Sequence, residues 1–184
     1  SALGDVKIML AIYLSMLDSK EDKDSFEILY KEYVKLMYKV ALDILNNQED
    51  AEDAVSEAFV RIAKNFQIVH KFVCPKTANQ FVIIVRNVSI DMYRKNKQLS
   101  ENIYFDEEVL DSYFDGFEQS NLKHSIEKLN DSDKDILYLH YIYGYELNEI
   151  SDLLEVSKNA VYKRLQRAKQ NLKQILEEIG RAHV

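Results

Sequence analysis

Between Phe26 and Leu45, apolar side chains return at steps of three and four (Phe26, Leu29, Tyr30, Tyr33, Val34, Met37, Val40, Ala41, Ile44, Leu45), and nowhere does the chain alternate with period two. This spacing lays one apolar stripe along a helix and leaves no pattern for a half-buried strand. The same period predicts a second helix from about Asp50, with Ala51, Ala54, Val55, Ala58, Phe59 and Ile62 on one face. It predicts a third over about Thr77 to Lys95, with Phe81, Ile84, Val85, Val88 and Met92 apolar. Four Gly and one Pro in 184 residues seldom interrupt such helices. The fold expected is all-α.

Charge then divides the chain. From Gln98 to Leu122 there are seven acids and no Lys or Arg, a surplus equal to the formal net charge of -7. That stretch lacks a helical period and reads as an acidic linker, so the organisation expected is two small helical domains, 1–97 and 122–184, joined through 98–121. Its aromatics (Tyr104, Phe105, Tyr113, Phe114, Phe117) suit docking on a domain or a partner better than a purely solvated tether. The apolar run from Ile8 to Leu17 is ten residues long, too short to span a bilayer, and reads as a packing helix.

In the second domain a helix is expected before Asn130, another through Ile136 to Tyr143, and a break at Gly144. Leu147 to Leu154 then reads as a short helix, Glu155-Val156-Ser157 as a tight connection, and Lys158 to Lys173 as a second helix with six cations and no acid. Two short helices with the second one basic form a helix-turn-helix whose recognition helix enters a DNA major groove. Ser157 stands where an N-cap belongs. Val161, Leu165, Ala168 and Leu172 share one face, while Lys158, Asn159, Tyr162, Lys163, Arg164 and Arg167 lie largely around the other. Lys and Arg bind phosphates or guanine edges, and Asn pairs with adenine.

Two more charge patterns stand in the first domain. The third helix ends in Arg94-Lys95-Asn96-Lys97, with Arg86 and Asn87 earlier and Phe66, Phe72 and Tyr93 nearby. Cations that neutralise phosphates beside rings that stack on unpaired bases fit a single-stranded nucleic acid, and a cationic helix end also complements the helix dipole. From Asp43 to Glu57 there are six acids and no cation. They form either a solvated face near a helix N-terminus or a surface for a basic protein partner. The lone Cys74 excludes an intramolecular disulfide and fits a reducing compartment, the cytoplasm. His70, His124, His140 and His183 are scattered, there is no Gly-rich phosphate loop, and no metal, cofactor or catalytic constellation is implied.

Taken together, these residues resemble the bacterial RNA polymerase sigma factors of the minimal, two-domain extracytoplasmic-function class. Asp50-Ala51-Glu52-Asp53-Ala54-Val55-Ser56-Glu57-Ala58-Phe59 is similar to the family's region 2 docking helix. Arg86 through Lys95 is similar to the segment that contacts the minus-10 element, and Ile150 through Lys169 to the region 4 helix-turn-helix that reads the minus-35 element. The resemblance implies a non-catalytic initiation subunit whose partners are core RNA polymerase, promoter DNA and, in many relatives, an anti-sigma factor. It places Asp50, Glu52, Asp53, Ser56 and Glu57 against the clamp helices of the largest polymerase subunit. It places Phe66, Phe72, Arg86, Asn87, Tyr93, Arg94, Lys95 and Lys97 at the minus-10 element and its strand opening. The family commonly has Gln at Ser56, Trp at Ala63 and Gln80, and Gly at Glu155, and it differs at Tyr162 and Lys163. A Glu at the turn requires that the backbone there avoid the left-handed conformation. The alternatives are a helix-turn-helix regulator that acts without polymerase, and a module that docks on polymerase but blocks initiation.

Overall fold

The computed structural model of the chain describes residues 2–97 and 121–182, which fall into two compact units. The acidic linker expected over 98–121 lies, but for Asn121, outside the described residues. Among the described residues there is no strand.

The first unit holds α1 (Ala2–Ser15), α2 (Lys20–Leu45), α3 (Gln48–Lys64) and α4 (Pro75–Lys97). Polar residues set their ends. Ser19 Oγ accepts the Asp22 N–H at 3.0 Å and opens α2. Asn46 closes α2 with φ 49°, a left-handed residue that Asn tolerates better than most. Asn47 opens α3 at once, its Oδ1 accepting the Asp50 N–H at 3.0 Å. Pro75 is the first residue of α4, where its missing N–H costs nothing.

Packing follows the predicted stripes on α2 and α3, whereas α4 is buried all round from Thr77 to Arg86, beyond its predicted stripe. Phe26, Leu29 and Met37 of α2, Phe59 and Ile62 of α3, and Phe81, Ile83 and Ile84 of α4 are all buried. Tyr30 and Phe59 lie 4.7 Å apart, Tyr33 and Phe81 5.4 Å, Phe59 and Phe81 6.2 Å. The apolar N-terminal run packs only in part: Tyr13 of α1 is buried against Phe26, Tyr30 and Phe59, and its hydroxyl reaches the Ser56 carbonyl at 3.5 Å, whereas Ile8 and Ile12 are exposed. A polar clasp crosses the unit. Asp22 accepts from Lys71 Nζ at 2.6 Å and from Gln67 Nε2 at 2.8 Å, and these two donors hold its carboxyl below the usual carboxylate range.

The second unit holds α5 (Asn121–Glu127), α6 (Asp131–Leu137) continued by a π-helical turn (Tyr138–Ile142), α7 (Leu147–Leu154) and α8 (Lys158–Ala182). Gly144, at φ 77°, makes the break that the sequence signals. Ile136, Leu139, Ile150, Leu153, Val161, Leu165 and Ala168 form the core. No helix among the described residues is long and apolar enough to cross a membrane.

The turn between α7 and α8 overturns one expectation. Glu155 is left-handed, at φ 50° and ψ 45°, although it carries a Cβ. The bonds around it hold it there: its N–H reaches the Ser151 carbonyl, and Ser151 Oγ donates to the Val156 carbonyl at 2.6 Å. The left-handed conformation costs an L-residue about 1–2 kcal/mol, and a Gly gives back part of the gain through its freer unfolded state. Glu155→Gly is therefore expected to stabilise the chain by about 0.5–1 kcal/mol in urea unfolding. A lower midpoint would mean that the Glu155 side chain contributes more than its backbone costs.

Candidate nucleic-acid interface

The first turns of α8 carry the clearest cationic surface. Ser157 Oγ accepts the Ala160 N–H at 3.1 Å, so the predicted N-cap is in place. Val161, Leu165 and Ala168 are buried, which turns Lys158, Asn159, Tyr162 and Lys163 outward; Arg164 is half-buried. Arg167 is committed differently. Its Nε donates to Asp133 Oδ1 at 3.0 Å and its Nη2 to Ser132 Oγ at 3.4 Å, so the guanidinium is tied to the start of α6 although the side chain stays exposed.

The end of α4 is a smaller basic surface. Lys95, Asn96 and Lys97 are exposed, and Tyr93 and Arg94 are half-buried. Asn87 is half-buried, and its Nδ2 donates back to the Ile83 carbonyl at 2.8 Å. Phe72, just before α4, is 73% exposed and leans on the His70 ring at 5.5 Å. Two residues expected here stand elsewhere. Phe66 is 1% exposed, packed on Phe26 with Lys71 Nζ 5.1 Å from its ring centroid, so it has no face to offer a base. Arg86 is 4% exposed, inside the most deeply buried stretch of α4, where no phosphate reaches it.

The acids of α3 also separate by environment. Glu49, Glu52 and Asp53 are exposed. Asp50 and Ser56 are half-buried, and Asp50 Oδ2 accepts from Asn96 Nδ2 at 3.3 Å. That bond puts the acidic start of α3 beside the basic end of α4, a juxtaposition no local sequence signal reveals. Glu57 accepts from the Nε of buried Arg61 at 3.1 Å, so part of its charge is spent inside the unit.

Sequence reasoning missed the Cys74 cluster. The Tyr33 hydroxyl accepts from the Cys74 N–H at 3.0 Å and reaches the Cys74 carbonyl at 3.1 Å. Thr77 Oγ1 lies 3.5 Å from the thiol and 2.7 Å from His70 Nδ1. Burial works against ionising this thiol, but hydrogen bonds from Thr77 and Lys76 outweigh it and leave the thiol below its ordinary value. Among the described residues, no group of three or more His, Cys, Asp or Glu could hold a metal ion.

Comparison with known proteins gives two family matches, "Sigma-70 region 2" over residues 29–98 and "Sigma-70, region 4" over residues 119–172. The chain is 30% identical over 182 residues to the ECF RNA polymerase sigma factor SigW of Bacillus subtilis, covering 87% of this chain and 93% of SigW. It is 25% identical over 155 residues to SigM of the same organism, covering 79% and 91%. Among solved structures, the sigma factor RpoE of Bartonella quintana in complex with the anti-sigma factor NepR is 14% identical, with 86% and 98% covered and a TM-score of 0.37.

Proposed function

The chain belongs to the ECF RNA polymerase sigma factors, and from that premise we propose how its surfaces divide the work. As a sigma factor it binds core RNA polymerase and directs it to promoters; sigma factors are not enzymes. The exposed first turns of α8 read the minus-35 element, with Lys158, Lys163 and Arg164 on phosphates or guanine edges and Asn159 suited to adenine. Tyr162, 52% exposed, adds an amphipathic ring to that face.

The end of α4 binds the minus-10 region. Lys95, Lys97 and Arg94 neutralise phosphates, Tyr93 stands at the same end with Asn87 about two turns earlier, and Phe72 stacks on an unpaired base. The acidic face of α3 (Asp50, Glu52, Asp53, Ser56, Glu57) docks on basic residues of the clamp helices of the largest subunit. The protein works where polymerase and promoters are, in the cytoplasm. An anti-sigma partner, common among relatives, would compete for these same surfaces.

The observation that carries this reading is a pair of oppositely charged surfaces, one on each unit: exposed cations on the capped helix α8, and exposed acids on α3. Run-off transcription with purified core polymerase tests it. Promoter-specific transcripts are expected only when both core and this protein are present. Operator binding without polymerase would favour a free-standing regulator, and core binding without transcripts a blocking module.

A further inference from the structure

Asp133 is 0% exposed, yet three donors converge on its carboxylate. Arg167 Nε reaches Oδ1 at 3.0 Å, while Asn130 Nδ2 at 2.8 Å and Asn171 Nδ2 at 2.6 Å reach Oδ2. The Asp133 N–H donates in turn to Asn130 Oδ1 at 2.9 Å, so the carboxylate is fixed to the start of α6. Arg167 and Asn171 are four residues apart on α8 and therefore share one face. A buried carboxylate is costly unless paired and hydrogen-bonded. Turning α8 by one residue, about 100°, would remove both donors at once. One more contact braces the same half of the helix: Lys169 Nζ lies 5.6 Å from the Tyr141 ring centroid.

We infer that Asp133, through Arg167 and Asn171, is the positioning residue that sets the register of the recognition helix, and that Arg167 acts on DNA only through this frame. The inference rests on the reading of α8 as the minus-35 helix. A rigid helix carries any rotation at Arg167 to Lys163, one turn away, and to Lys158 beyond it. Base contacts need side chains held to a fraction of an ångström, so a loosened frame loses sequence preference before it loses charge.

The test uses holoenzyme assembled from core polymerase and the full chain, a pool of duplexes randomised across the upstream element, and a series of salt concentrations. Arg167→Gln and Asp133→Asn are each expected to flatten the sequence preference about tenfold. The double variant should lose no more than either alone, because both break one unit. The salt slope should stay as in the parent chain. Arg167→Lys keeps the charge but not the fork, so it should also flatten the preference. Asn171→Ala should shift the preference in the same direction, and it keeps the test readable if Asp133→Asn does not fold.

A salt slope lowered by about one in Arg167→Gln, with Arg167→Lys behaving like the parent, would make Arg167 a phosphate contact and overturn the inference. A silent Asn171→Ala would overturn it too. Lys163→Ala separates the two levels: if neither its slope nor its preference changes, the reading of α8 itself fails, whatever Asp133 does.

Discussion

Reversing Glu52 and Asp53 to Lys is expected to weaken binding to core polymerase by about 100-fold or more while the chain stays folded. Both carboxylates are exposed on α3, so the reversal breaks no packing. What it changes is the sign of the surface offered to a basic partner, and like charges brought together at an interface cost several kcal/mol. A titration of labelled protein with core enzyme at moderate salt reads the loss, and circular dichroism checks the helices. Affinity equal to that of the parent chain would remove α3 from the docking surface. Glu57 is the wrong residue for this experiment, although its sequence neighbourhood is the same. A Lys at that position would sit beside buried Arg61, and any lost binding would be confounded with lost stability.

Phe59→Ala is expected to destabilise the first unit by about 3–5 kcal/mol. Phe59 is fully buried and its ring meets those of Tyr13, Phe26, Tyr30 and Phe81, which come from α1, α2 and α4. No small movement of one helix fills the space it leaves. Urea unfolding followed by helical signal reads the change, and a loss below about 1 kcal/mol would mean that the surrounding rings collapse into the cavity. The same substitution should also loosen α1, because Tyr13 leans on this ring.

Much of the fold could be read in the sequence because helix formation here depends on local spacing and local caps. The stripe from Phe26 to Ile44, the stop at Asn46-Asn47, the break at Gly144 and the cap at Ser157 are each signals spanning a few residues, and each has its counterpart in the structure. What the sequence does not show are partners far apart in the chain. By its spacing Arg167 is one more cation of α8, and only the fold shows Asp133, 34 residues earlier, paired with it. Phe66 and Arg86 have the chemistry of nucleic-acid contacts, and only tertiary burial shows that their side chains point into the core. Glu155 differs again. Side-chain type predicts against a left-handed residue there, and the hydrogen bonds of the turn override that preference.

The two halves of α8 answer to different pressures. From Val161 to Asn171 one face is held by the core and by Asp133, whereas Lys158, Asn159, Tyr162 and Lys163 look outward and hold nothing up. Substitutions at exposed positions usually change stability by no more than about 0.5 kcal/mol. On the proposed reading of α8, a lineage can therefore rewrite those four residues, and with them the promoter sequence read, without rebuilding the domain that presents them. On that reading the helix is a fixed handle with an exchangeable bit, and a change of promoter is within reach of single substitutions that leave the fold alone.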